Sequence, residues 1–211
     1  MLRTALLSLV FALLGGASAS WLTMGFQVWT AEGARRLAVA EHPVTAPAAA
    51  LTGPGIAGRS LPTWLAGSGR VTIVDFIYTR CPTLCTTLGS GFQQLQRALA
   101  ASPGNDGIRL LSISFDPAHD DAARLQQYAL QWQAEPGRWQ VATVPAAAEL
   151  KRLLDAFQVV VIADGQGGFD HNAALLIVDE RGRLVRIFDD SDLDGALAYA
   201  RSIAARGAAA P

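Results

Sequence analysis

From Val71 onward, apolar positions switch repeatedly between a spacing of two and a spacing of three to four, predicting alternating strands and helices. Val71 to Tyr78 (VTIVDFIY) is dense in β-branched and aromatic residues and reads as a buried strand. Past Cys85, Leu88, Phe92, Leu95 and Leu99 recur at helical spacing, with Gln93, Gln94 and Gln96 between them. Ile108 to Asp116 is a second strand with Leu111, Ile113 and Phe115 on one face. Pro117 ends it, and Asp120 or Asp121 can cap a helix carrying Leu125, Tyr128, Ala129 and Trp132. Trp139 to Val144 reads as a short strand and the residues around Leu150, Leu153, Leu154 and Phe157 as a helix. Val159 to Ile162 is a further short strand before the loop Asp164-Gly165-Gln166-Gly167-Gly168. Ala173 to Val178 and Leu184 to Phe188 form a hairpin around Glu180-Arg181-Gly182. Ser191 with Asp194 resembles a capping box opening a last helix, whose apolar stripe is Leu193, Leu197, Ala200 and Ile203. This order predicts an α/β fold with a sheet of mixed direction.

The N-terminal pattern is different. No Asp, Glu, Lys, Arg or His occurs from Thr4 to Thr30, and Leu, Val, Ala and Phe dominate. That run exceeds the roughly 20 residues a helix needs to cross the hydrocarbon layer, and Trp21 and Trp29 fall where an aromatic belt would lie. A cleavable signal peptide is the rival reading, with Ala5 to Leu14 as its apolar stretch and Ala17-Ser18-Ala19 as its cleavage site. The uncharged run continues well past Ala19, which favours a transmembrane anchor over residues 1–30. Either reading exports the rest of the chain across a membrane. Residues 31–60 lack sustained periodicity and are broken by Pro43, Pro47, Pro54, Gly53, Gly55 and Gly58, so they read as a linker. Residues 61–211 then make one domain of ordinary size.

Composition narrows the function classes. The chain has 211 residues, a formal net charge of −1 and an apolar fraction of 51%, which supports a packed core. No basic field exists to neutralise phosphates, so nucleic acid is excluded as a partner. Two cysteines in the whole chain exclude a disulfide scaffold and a four-thiolate zinc site. They act as a pair. Cys81 and Cys85 are one helical turn apart at the first strand-to-helix junction, the arrangement of a thioredoxin-like fold. Pro82 is tolerated at a helix start, and the positive end of the helix dipole favours thiolates. Two thiolates so placed suit a soft ion such as Cu(I), or they close into a disulfide. A loop this short gives a structural disulfide only about 2 kcal/mol, which a domain of this size does not need.

Three segments resemble the Sco/SenC family of copper proteins. Phe76 to Cys85 (FIYTRCPTLC) is similar to the family's strand leading into Cys-Pro-x-x-Cys. Ser112 to Pro117 (SISFDP) resembles its second strand, and Asp170-His171-Asn172 resembles its Asp-His segment. The similarity covers about residues 61–205; Thr86 departs from the Pro that many relatives carry after the second cysteine. The resemblance implies that Cys81, Cys85 and His171 bind one copper ion, with His171 the third ligand. Asp170 is then a candidate for orienting the histidine, though a solvated loop acid is an equally simple reading. His42 falls in the linker and His119 in a polar turn, and both read as solvated. Histidines placed like His171 mostly pack or hydrogen-bond, so the family match is what singles it out.

A thioredoxin-type oxidoreductase places a cis-proline before its terminal hairpin, but no proline lies between Pro145 and Pro211 here. Zinc would want a fourth ligand, whereas Cu(I) is content with fewer. The resemblance further implies a chaperone that takes copper from a donor protein to the copper A centre of a cytochrome c oxidase subunit. A bacterial inner-membrane protein with its domain in the periplasm is the matching location. The alternative is a thiol–disulfide reductase acting on that subunit's cysteines. A thiol peroxidase would leave the Asp-His segment without a role, and a scaffold domain would leave the cysteines idle.

Overall fold

Every residue from Val71 to Ile77 and from Ile108 to Ser114 is buried, as strands covered on both faces require. The computed structural model describes residues 2–23, 25, 28–80, 84–101 and 107–208, and of Leu2, Ala5, Leu84, Cys85, Thr86 and Ala208 only the backbone. In chain order, α1 (Leu2–Leu22) and α2 (Ala31–Glu41) lead into β1 (Val44–Thr45), β2 (Ala50–Gly53), β3 (Ile56–Ser60) and α3 (Leu61–Ala66). Next come β4 (Val71–Ile77), α4 (Leu84–Ala100), β5 (Ile108–Ser114), α5 (Ala122–Gln131), β6 (Trp139–Thr143) and α6 (Ala147–Ala156). Four strands follow, β7 (Val161–Ala163), β8 (Phe169–His171), β9 (Ala174–Val178) and β10 (Arg183–Asp189), and then α7 (Leu193–Ala208).

Eight strands form one sheet in the order β1-β10-β9-β4-β5-β6-β2-β3. β4, β5 and β6 run parallel, and the flanking strands are antiparallel, so the mixed α/β sheet is as expected. β7 and β8 form a separate two-stranded sheet. Trp139 donates its indole N–H to the Ser112 hydroxyl and packs against Phe92, which places α4 over that face. Phe76 meets Phe157 at the end of α6 on the other face. There Arg109 is buried between Thr72 and the carbonyls of Trp64 and Leu65, with its guanidinium over the Trp64 ring.

Residues 31–60 depart from the linker reading. They form α2 and β1 to β3, and Val39, Ala46, Ala49, Leu51 and Ile56 join the core. Arg35 on α2 donates to the Phe157 carbonyl, and Arg36 grips Asp189 with both guanidinium nitrogens. Strands of two to five residues between prolines are too short to show a period, which is why the sequence concealed them. At the N-terminus α1 is a 21-residue helix, but among the described residues no helix is long and apolar enough to cross a membrane. Gly15, Gly16, Ser18 and Ser20 dilute its second half. Caps differ in detail too. Asp121, not Asp120, caps α5, and Asp192 rather than Ser191 accepts from the first turn of α7.

One buried group has no sequence signal of its own. Asp75 is 0% exposed on β4, beside Ser112 in register and therefore on the α4 face, and neither carboxylate oxygen has a hydrogen-bond partner among the described residues. Burial pushes its pKa up to about 7; the Ser112 hydroxyl opposes the rise without reaching hydrogen-bond geometry. A folded-state pKa above the unfolded one means that the native state keeps its proton where the unfolded chain has lost it. Stability therefore falls as pH rises from about 4 to about 7, by up to about 4 kcal/mol. Asp75→Asn should abolish this component. Urea midpoints of the two proteins should nearly coincide at pH 4.5, with the variant the more stable at pH 8. Parallel pH profiles would show that Asp75 does not titrate in that window.

Candidate functional site

The C-terminal ends of β4 and β5 carry the residues singled out from the sequence. Past Ile77 the chain passes through Tyr78, Thr79 and Arg80 toward Cys81. Each of these three is tied down. Asp120, wholly buried, accepts from the Thr79 backbone N–H (2.9 Å), the Thr79 hydroxyl (2.6 Å) and the Ser114 hydroxyl (2.5 Å). Arg80 reaches Asp116 at 2.8 Å, and His119 Nδ1 lies 2.9 Å from the same carboxylate. Burial alone would raise the pKa of Asp116, but hydrogen bonds from His119 and Arg80 hold it below the usual carboxylate range. His119 is accordingly an exposed hydrogen-bond partner of Asp116, and His42 is exposed where α2 ends. These ties fix the chain on its way into the cysteine motif.

Cys81, Pro82 and Thr83 lie outside the described residues, as does the side chain of Cys85, whose backbone is the second residue of α4. Among the described residues no three His, Cys, Asp or Glu side chains gather as a metal site.

His171 ends β8, on the small hairpin rather than the main sheet. Its ring packs against Phe115 at 5.0 Å, and both ring nitrogens are buried with no hydrogen-bond partner among the described residues. Burial lowers its pKa, with Asp190 and Asp170 pulling the other way, so the ring stays neutral at neutral pH. A neutral imidazole with two unengaged nitrogens is costly to bury unless something else engages it. Asp170 projects from the opposite, exposed side of β8. It acts on the ring through its charge, and the structure describes no hydrogen bond between the two.

Sequence reasoning missed what holds the hairpin. The Tyr78 hydroxyl donates to the Phe169 carbonyl and accepts from the Phe169 N–H, each at 3.2 Å. Tyr78, Phe115 and Phe169 pack around one another with ring centroids 5.3–5.6 Å apart, and His171 extends the cluster. Asp164 closes the far turn by accepting from Gln166 and Gly168, while Gly165 and Gly167 take the positive φ that the turn needs. Phe169 follows two glycines, so no apolar period announced a strand there.

Known proteins place this architecture. A model of the SCO1/SenC family matches residues 63–205. The SCO1 protein homolog of Bacillus subtilis is 26% identical over 123 residues, 57% of this chain, and the match spans 63% of that protein's length. The structure of ScoI from Bradyrhizobium japonicum with copper bound superposes with a TM-score of 0.62 at 22% identity, covering 75% of this chain and 99% of ScoI. BsSco, a member of the Sco family of cytochrome c oxidase assembly proteins in which a disulfide switch was identified, gives 0.66 at 21% identity, covering 78% and 95%. These structural likenesses establish a shared fold.

Removing the Tyr78 hydroxyl tests the clasp on the hairpin. Tyr78→Phe should speed amide exchange at Phe169 at least tenfold, at a cost of about 1–2 kcal/mol in overall stability. Unchanged exchange would mean that ring packing alone holds β8.

Proposed function

The chain belongs to the SCO1/SenC family, and on that footing we propose that it is a membrane-tethered copper carrier. In this reading Cys81, Cys85 and His171 hold one copper ion for delivery to the copper A centre of a cytochrome c oxidase subunit. The observation that carries it is the pair of buried, unengaged ring nitrogens of His171 at the end of the molecule toward which β4 leads the cysteine motif. A neutral imidazole and two thiolates are a donor set that copper accepts. The copper-bound ScoI shares the fold, and BsSco belongs to a family that acts in oxidase assembly.

The protein's own contribution is to present these donors ready for use. Burial keeps His171 neutral, so no proton must leave it when the ion binds. Cys85 falls in the first turn of α4, where the helix dipole favours negative charge. Thiols still release protons on binding, so affinity falls at low pH and is lost when the pair oxidises. Copper is cargo, and it moves to the acceptor by stepwise exchange of ligands. Exposed Leu6, Leu7, Leu9, Phe11, Leu13 and Leu14 give α1 an apolar surface for the tether, with the domain in the bacterial periplasm. A donor protein supplies the copper.

A second reading, thiol–disulfide reduction of the oxidase subunit's cysteines, takes support from the disulfide switch identified in BsSco. It needs Cys81 and Cys85 but not His171. His171→Ala separates the two. Copper bound per reduced chain should drop, with affinity falling by more than the 10- to 100-fold typical of losing an outer-shell partner. Dithiol exchange should survive. Unchanged copper affinity would refute the three-ligand site.

A further inference from the structure

Beyond residue 29, the described large apolar side chains that stand exposed are Leu130, Val160 and Ile162. Two of the three are on the hairpin that carries His171. Val160 is 54% and Ile162 60% exposed, while Val159 is buried and Val161 half-buried. β7 therefore alternates, with Val161 inward opposite His171 and Ile162 outward opposite Asp170. The hairpin's outer surface is thus apolar at Val160 and Ile162, with Asp170 opposite Ile162 and Asp164 exposed in the turn that follows β7. From Leu153 to Glu180 the chain has no Lys or Arg.

Resting on the copper-delivery reading, we propose that the outer face of the β7–β8 hairpin is where the copper acceptor docks. The partner it fits is a protein face with an apolar centre and a lysine- or arginine-bearing rim. The charge pattern selects this occupant. A second copy meeting this patch across a twofold axis would set Asp164 and Asp170 against their own equivalents. A membrane surface of anionic lipid would be repelled by the same carboxylates. A basic-rimmed protein is attracted by them, and two β-branched side chains supply a small apolar contact suited to a transient encounter. Docking here sits on the reverse side of the strand pair that positions His171, so contact with the acceptor bears on the element that holds one of the ion's ligands.

The test uses methyl-labelled full-length protein in detergent micelles and the soluble copper A domain of the oxidase subunit. That domain should broaden the Val160 and Ile162 methyl signals. The double variant Val160→Thr, Ile162→Thr should bind copper like the parent but transfer it about tenfold more slowly. Asp164→Asn, whose Oδ1 can still accept from Gln166 and Gly168, should slow transfer mainly at low salt. Transfer by the double variant at the parental rate, or transfer with both methyls unperturbed, overturns the docking face. So does methyl broadening that rises with the protein's own concentration in the absence of the acceptor. Methyl broadening by the acceptor without any copper transfer overturns delivery and upholds the face. Neither broadening nor transfer overturns both.

Discussion

The strand that carries His171 is clasped to β4 by one group, the Tyr78 hydroxyl held between the N–H and C=O of Phe169. A two-stranded hairpin is marginal by itself in water, and β7–β8 has no strand of the main sheet beside it. Its place is conferred from below by Tyr78 and by the rings of Phe115 and Phe169. Tyr78 stands three residues before Cys81 on the continuation of β4. One strand therefore sends the chain into the cysteine motif and anchors the element bearing the histidine. Thr79 and the hairpin, distant in sequence, are thus supported from the same end of the sheet.

A second tie makes the support unequal. Asp120 takes three hydrogen bonds from Thr79 and Ser114 in a fully buried setting, where each is strengthened by the low dielectric. The cysteine side is thus fixed to the central strands by a charged, buried acceptor. The histidine side is held by uncharged groups, the Tyr78 hydroxyl on Phe169 and the Asn172 amide on Val160 and Gln158, and by ring packing. Local opening is expected at the weaker of the two. The hairpin that carries His171 is therefore the more yielding of the two supports at this end of the sheet.

The sequence made the central architecture plain and hid its margins. Val71 to Tyr78 and Ile108 to Asp116 announced themselves because strands covered on both faces need continuous β-branched and apolar runs. The helices around Phe92, Leu125 and Leu153 were equally clear, since each buries one stripe. The segment 31–60 was not, because its strands are too short for a period and its helix α2 carries buried Arg35 where an apolar residue would have signalled burial. Asp120 and Asp121 are indistinguishable as caps in sequence, because a buried acceptor and a helix cap are both an Asp after a turn. Asp75 gave no sign at all: a strand of the same composition with the carboxylate turned to solvent reads identically. The motif residues were legible through resemblance, but the contacts that seat His171 required the fold.

With a formal net charge of −1, the molecule as a whole has little field to guide a partner. Guidance must come from how charge is distributed locally. On the approach to the cysteine motif, Arg80 is paired with Asp116 at 2.8 Å, so the fields of these two charges largely cancel. Across the site, Asp164 and Asp170 on the hairpin have no basic neighbour in sequence from Leu153 to Glu180. The gradient runs from the neutralised side at Arg80 to the acidic hairpin that carries His171. A basic-rimmed face would therefore be oriented as well as attracted, meeting the acidic hairpin ahead of the neutralised side.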